Sequence, residues 1–243
     1  MLGSSHSVFS HSAELYDLIY SSFKDYSQEA RQIATLLRSI HPQCRTILDV
    51  ACGTGEHAHH LVAHHGFDVD GLDLDPTFVE IAQAKHPAGQ FHEANMVEFH
   101  LGRRYDAVLC LFSSIGYART LPDVCRALAC FREHLGTDGV VIVEPWFTPE
   151  VMEHGRTDTR TVKAPGLRVV RVSHSEVHDR LSRFRFDYEI LAPDGVRHVS
   201  EVHELGLFTT DEMLRSFEAS GLTAEYDSQG LTGRGLFIAR VAA

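Results

Sequence analysis

The apolar run Thr46-Ile-Leu-Asp-Val-Ala51 breaks at Cys52-Gly-Thr-Gly55, and a helical pattern resumes from Glu56 to about His65. Strand, glycine turn and helix in that order form the place where a parallel sheet binds a nucleoside ligand, because glycines let the backbone come close to it. A carboxylate, Asp73, follows the next apolar segment, 18 residues after Gly55, where it suits ribose hydroxyls. Gly53-Thr-Gly55-Glu-His-Ala58 also satisfies the Ala form of the dinucleotide fingerprint, so glycine spacing alone leaves NAD open. Charge weighs against NAD: Glu56 occupies the helix start that a pyrophosphate would need, and Asp49 lies just upstream. An acidic loop suits a ligand carrying positive charge, such as a sulfonium with its amino group.

The elements around this loop read as an open α/β sheet with right-handed crossovers, most clearly over residues 44–147. A helix starts near Ser27, read as its N-cap, with Ile33, Leu36, Leu37 and Ile40 on one face. Phe67–Leu74 is a second strand, and Asp75-Pro76 suits an N-cap followed by proline at the first helical position. Gln90–Ala94 and Tyr105–Phe112 are the third and fourth strands. A helix through Leu121, Val124, Leu128, Phe131 and Leu135 runs to Gly136, and Gly139–Val143 is a fifth strand, apolar on both faces.

The rhythm then changes. Residues 148–208 show no helix; Phe184, Phe186, Tyr188 and Ile190 alternate with polar residues, Arg197–Leu207 returns after a turn at 192–195, and residues 167–177 add a third strand. The division is 1–147, a lid and α/β core; 148–208, an antiparallel insertion; and 209–243, a helix from Thr210 to Ser220 and a hairpin completing the core.

Composition narrows the function. The formal charge of -11 over 243 residues argues against a nucleic-acid or anionic-membrane surface. No apolar run approaches the roughly 20 residues of a membrane span, and the N-terminus lacks signal-peptide character. With five unpaired cysteines, a cytoplasmic location is expected. The 17 histidines include His57, His60 and His64 on one helical face; with no cysteine at ligand spacing they read as a solvated face, and no metal is expected.

At the level of the superfamily, Leu48-Asp-Val-Ala-Cys-Gly-Thr-Gly55 resembles the first motif of class I S-adenosylmethionine-dependent methyltransferases. The similarity is closer to one branch. Ala13-Glu-Leu-Tyr16-Asp, Lys24-Asp-Tyr26, Leu101-Gly-Arg103, Phe112-Ser-Ser-Ile-Gly-Tyr117, Val143-Glu-Pro-Trp146, Arg171-Val-Ser-His-Ser175 and Gly233-Arg-Gly-Leu-Phe237 resemble, in order, the nucleotide-linked amino-sugar N,N-dimethyltransferases of the desosamine and mycaminose type. The resemblance implies a Rossmann-like sheet of seven strands, mostly parallel with a C-terminal antiparallel hairpin. It implies S-adenosyl-L-methionine as cofactor and a TDP-linked deoxyamino sugar of antibiotic biosynthesis as the small-molecule substrate, dimethylated on nitrogen. A homodimer is left open.

Carried onto this chain, the family pattern gives Gly53 and Gly55 the approach to the cofactor, Asp73 the ribose, and Asn95-Met96 the adenine, with Asn95 standing where Asp is common. Tyr16, Asp49, Ala51, Leu74 and Leu111 complete the cofactor set. Tyr117 is placed beside the amine, Glu144 orients the amine or lines the cofactor site, and Trp146 forms an apolar wall, with Phe147 where relatives often have a second Trp. Tyr16 and Tyr26 belong to an N-terminal lid, and Phe9 stands where some relatives have a substrate-facing Tyr. Arg234 suits a diphosphate through its bidentate fork, and His174 and Ser175 contact substrate. Two other readings stand beside this one: another small-molecule methyltransferase, acting on oxygen or an amino acid, and a non-catalytic cofactor-binding module.

Overall fold

The computed structural model describes residues 13–242. Five parallel strands form the first part of the sheet: β1 (Thr46–Val50), β2 (Asp68–Asp73), β3 (Phe91–Glu93), β4 (Tyr105–Cys110) and β5 (Leu135–Val143). Helices α1 (Ala13–Tyr20) and α2 (Tyr26–Ile40) precede them, and α3 (Glu56–His65), α4 (Pro76–Lys85) and α5 (Leu121–Glu133) are the crossovers. Four strands follow, β6 (Thr157–Ala164), β7 (Leu167–His178), β8 (Leu181–Ala192) and β9 (Gly195–Gly206), then α6 (Thr210–Ala219), β10 (Leu222–Asp227) and β11 (Leu236–Val241).

The large sheet has seven strands in the order β10-β11-β5-β4-β1-β2-β3, and β6–β9 form a separate four-stranded sheet. Only β11 opposes its neighbours, pairing antiparallel with β5 and β10. The direction of winding reverses between β1 and β4, which opens a crevice at their carboxyl ends. Both faces are covered: Ile33, Leu37, Leu61 and Ala82 pack on one, and Val124, Leu128, Phe131 and Phe217 on the other, as a parallel sheet requires.

Local chemistry sets the boundaries. Asp75 caps α4 by accepting from the N–H groups of Thr77 and Phe78, with Pro76 in the first turn, as its sequence implies. The N-cap of α2 is Asp25, not Ser27: its carboxylate accepts from Gln28 N at 2.9 Å. Likewise Thr209, one residue before the expected cap region, forms a reciprocal capping box with Glu212. Strand β5 begins at Leu135, where helix was expected to run on to Gly136. Leu135 pairs with Tyr105 and Val140 with Ala107, so residues 136–139 loop out as a bulge.

The insertion has four strands where three were expected. Strand β6, with the sequence TDTRTVKA, is a mostly exposed edge; without a buried face it has no apolar alternation to read. Helix α1 joins the two sheets: Ile19 and Tyr20 pack with Val169, Tyr188 and Ile190 of the insertion. No helix among the described residues is long and apolar enough to cross a membrane.

The Thr209→Ala substitution removes half of the capping box that starts the last helix. We expect a loss of about 1 kcal/mol in urea unfolding with the denaturant slope unchanged, measured by circular dichroism.

Candidate active site

The crevice opens into a cavity of about 1060 Å³, above the usual size of a single small-molecule site. One half is formed by loops at the carboxyl ends of β1 to β4: Ala51, Gly53, Asp73, Leu74, Asn95 and Met96 all line it, as their positions in sequence imply. The other half is walled by the insertion and the C-terminal segment, including Trp146, Arg171, Ser175, Phe186, His203 and Arg234.

The two loop glycines do different work. At Gly53 (φ +55°) a side chain would meet nothing within 4 Å, so the space beside it is cavity and is left open for a ligand. At Gly55 (φ +78°) a Cβ would come within 3.1 Å of the Ala82 Cβ; this glycine serves the packing of α3 on α4. Asp49, Gly55 and Leu111 stand behind the cavity wall rather than on it.

Asp73 is held by its neighbours: Oδ2 accepts from Gly53 N at 2.8 Å and Oδ1 from Asp75 N at 3.0 Å. Desolvation nonetheless raises its carboxyl to about 6. Desolvation also raises the buried Asp49 to about 6, and its Oδ2 has no hydrogen-bond partner among the described residues. Two carboxylates made costly by burial favour a cation nearby. Asn95 Oδ1 accepts from Val97 N at 3.2 Å and keeps a second lone pair for an adenine amino group. The open space at Gly53, the carboxylates and the Asn95 amide fit S-adenosylmethionine.

Helix α1 covers the glycine loop. Asp17 accepts from the Thr54 hydroxyl and from Lys85 Nζ at 2.6 Å, and Lys85 also reaches Glu56 at 2.5 Å. The acidity read from Glu56 is therefore paired. Tyr16 lines the cavity and meets the Phe78 ring edge-on at 4.9 Å. Tyr26 does not line it; it is buried against the His57 ring at 5.0 Å, with Lys24 over its face. Phe9 lies outside the described residues.

His57 is also a correction to the solvated histidine face. It is buried, and its Nε2 lies 2.8 Å from Glu29 Oε2, which also holds Lys24. Burial pushes the Glu29 carboxyl up, but His57 and Lys24 outweigh it and hold the group below its ordinary value. Among the described residues no cluster could hold a metal ion.

Glu144 is fully buried at the end of β5 and does not line the cavity. Its Oε2 accepts from Phe112 N at 2.7 Å, and its Oε1 from the Thr232 hydroxyl at 2.7 Å with Arg234 Nη2 at 3.4 Å. With both oxygens engaged it is closed off from an amine. It fixes the Phe112-Ser113 turn, where both residues adopt positive φ, and it braces Arg234. That guanidinium is 17% exposed, which is a held arginine rather than a solvated hairpin tip.

Strand alternation divides the residues expected from the insertion. Arg171, Ser173 and Ser175 on β7 face the cavity, whereas His174 faces the other way and pairs with the Thr157 hydroxyl at 3.0 Å. His174 is thus a correction, following from the two-residue period of a strand. Trp146 donates to Ser182 Oγ at 2.8 Å. Tyr117, in a short 3-10 turn (Ser114–Ala118), lines the cavity and its hydroxyl lies 2.8 Å from His203 Nδ1. Burial raises the Tyr117 phenol well above its ordinary value. Arg171, His203 and Glu201 were not singled out as site residues from sequence, although alternation along β7 and β9 was a signal that could have found them.

Comparison with known proteins identifies the family. Residues 47–139 match the family described as a methyltransferase domain. The chain is 43% identical to the dTDP-3-amino-3,6-dideoxy-alpha-D-glucopyranose N,N-dimethyltransferase of Streptomyces fradiae, over 93% of this chain and 89% of that protein. The crystal structure of Streptomyces venezuelae DesVI superposes with a TM-score of 0.89 at 41% identity, covering 95% of this chain and 98% of that one. CalS10 from Micromonospora echinaspora, an amino pentose methyltransferase solved with S-adenosylmethionine bound, gives 0.84 at 34% identity, covering 93% and 95%.

Two outcomes are expected at the cofactor end. Gly53→Ala and Gly55→Ala should each lose about 1–2 kcal/mol in thermal or urea unfolding from positive φ, but only Gly53→Ala should raise the S-adenosylmethionine Kd tenfold or more in calorimetry beyond that loss. Asp73 should also make binding pH-dependent. Its folded pKa is raised to about 6, so its ionisation destabilises the apo fold as pH climbs from about 4 to about 6, while the carboxylate expected to accept ribose hydroxyls forms over the same range. Cofactor Kd should therefore rise about tenfold as pH falls from 7 to 5, with the change reduced in Asp73→Asn to what Asp49 contributes.

Proposed function

The chain belongs to the S-adenosylmethionine-dependent sugar N,N-dimethyltransferases, and on that premise we propose that it dimethylates the amino group of a TDP-linked deoxyamino sugar in antibiotic biosynthesis. The observation that carries the reading is one cavity lined together by Gly53, Asp73, Tyr117 and Arg234. A non-catalytic module would have no use for the second half of that cavity.

When bound, S-adenosylmethionine supplies a sulfonium methyl for in-line displacement by a neutral amine. The chain's own residues provide alignment. Asp73 holds ribose hydroxyls, Asn95 and Met96 meet the adenine, and Tyr16 closes over the loop beneath α1. Trp146, fixed by Ser182 and meeting the Phe184 ring at 5.5 Å, keeps water from the transfer path. Arg234 takes the diphosphate; braced by Glu144 and Thr232, its fork is preorganised, so little side-chain entropy is lost when it pairs with phosphate. Tyr117 stands beside the amine.

The reading is tested by incubating the protein with cofactor and TDP-linked 3-amino and 4-amino deoxyhexoses, with sarcosine and a catechol as controls, followed by mass spectrometry. Two added methyl groups on an amino sugar are expected; methylation confined to a control overturns the reading. Arg234→Lys keeps a charge opposite Glu144 but loses the fork, and should raise the nucleotide-sugar KM about tenfold with kcat and cofactor Kd little changed.

A further inference from the structure

An amino sugar arrives largely as its ammonium near neutral pH, and only the neutral amine attacks a sulfonium methyl. A proton must leave the nitrogen before each transfer, so dimethylation needs this twice. Burial keeps the Tyr117 phenol protonated, which makes its hydroxyl a conduit for a proton rather than a final base. The group behind it decides where the proton goes.

That group is His203 on β9, which is 1% exposed. The Tyr117 hydroxyl lies 2.8 Å from Nδ1; with the ring as its Nε2–H tautomer the hydroxyl donates to Nδ1 and keeps its oxygen lone pairs for a substrate N–H. The tautomer that accepts at Nδ1 carries its proton on Nε2, and Nε2 lies 3.7 Å from Glu201 Oε2. The Glu201 carboxylate is 4% exposed, and neither of its oxygens has a hydrogen-bond partner among the described residues. A buried carboxylate without hydrogen bonds is expensive to keep unless it serves a nearby positive charge.

We propose that Tyr117, His203 and Glu201 form a proton path that neutralises the substrate ammonium before each methyl transfer, an inference that rests on the amino-sugar reading above. The ammonium N–H passes its proton to the Tyr117 oxygen as Tyr117 passes its own to His203 Nδ1. The products are a neutral amine and an imidazolium whose Nε2–H faces the Glu201 carboxylate. The amine lone pair then forms the N–CH3 bond as the S–CH3 bond breaks, its electron pair staying on sulfur, and the new nitrogen carries the positive charge. The imidazolium proton returns through Tyr117 to water in the cavity before the second transfer. Tyr117 is the catalytic residue here; His203 and Glu201 act through it.

The surroundings can hold such a charge. Tyr16 and Tyr20 from α1, Arg160 from β6, Arg171 from β7, Tyr188 from β8 and Asp73 from β2 are among the titratable groups that bear on this cluster, and the Phe186 ring lies 4.8 Å from the His203 ring. Arg171 is the opposing cation. Its guanidinium lies over the rings of Tyr20 and Phe186, which spread its charge across the aromatic faces.

The test is the pH dependence of kcat/KM for a TDP-linked 3-amino deoxyhexose in the wild type, His203→Gln, Tyr117→Phe and Glu201→Gln. The pKa of the substrate amine is measured separately by NMR. His203→Gln still accepts a hydrogen bond from Tyr117 but takes no proton. We expect it to be about 100-fold slower at pH 7, with the deficit closing as pH rises past the amine pKa, because the amine then arrives neutral. Tyr117→Phe should show the same closing deficit and Glu201→Gln a smaller one, with cofactor Kd unchanged in all three. A deficit constant with pH, or no deficit, overturns the path. If His203→Gln fails to fold by circular dichroism, Tyr117→Phe, which removes only a hydroxyl, decides alone. A wild type that methylates no amino sugar overturns the amino-sugar reading and the path with it; a wild type matched by its variants at every pH overturns the path only.

Discussion

The Glu144 carboxylate has no exposure, and a buried charge is tolerated only where hydrogen bonds and an opposite charge surround it. Its three partners come from two distant parts of the chain: the Phe112 backbone after β4, and the Thr232 hydroxyl and Arg234 guanidinium in the loop before β11. Satisfying one group therefore locks the ends of two central strands and the last loop together. Ser113 adds a bond to the Pro145 carbonyl at 2.7 Å. The short turn carrying Tyr117 starts from this junction, and Arg234 ends on it, so this stretch of cavity wall is set by one carboxylate that does not itself line the cavity.

The insertion supplies what an α/β crevice lacks. The carboxyl ends of a parallel sheet offer loops and backbone donors but remain open to water. The four-stranded sheet lays a face carrying Arg171, Ser175, Phe186 and His203 across that opening, and Ile19 and Tyr20 of α1 fasten it down through an apolar cluster. Enclosure strengthens the electrostatic interactions inside. Arg171, Ser175 and His203 on this face are buried polar side chains that line the cavity.

The cofactor half of the site was legible in the sequence because its signals are local. Glycine turn, strand-end carboxylate and Asp-Pro cap each act within a few residues of backbone, and all three stand where spacing put them. The fold was legible for the same reason, since short strand and helix segments alternate and each shows its own local periodicity. Strand β6 was not, because an exposed edge has no hydrophobic face; nor was the bulge at residues 136–139, which only pairing with β4 creates. Histidine spacing on α3 placed His57 on a face, but the buried pair at Lys24 and Glu29 comes from α2 and its preceding turn, which no helical period reveals.

Sequence by itself determined the doubly wound sheet and the glycine loop, since these follow from periodicity and from contacts between near neighbours, and its motifs carried the resemblance to the family. Tertiary structure alone decided which members of that pattern face a ligand. Glu144 and Tyr26 turn into the protein, His174 turns away from the cavity, and Arg171, Glu201 and His203 turn toward it or gather beside it. The physical reason is that side-chain direction on these elements is set by which face a second element covers, and the covering elements here, α1 and the insertion sheet, are far from the glycine loop in the chain.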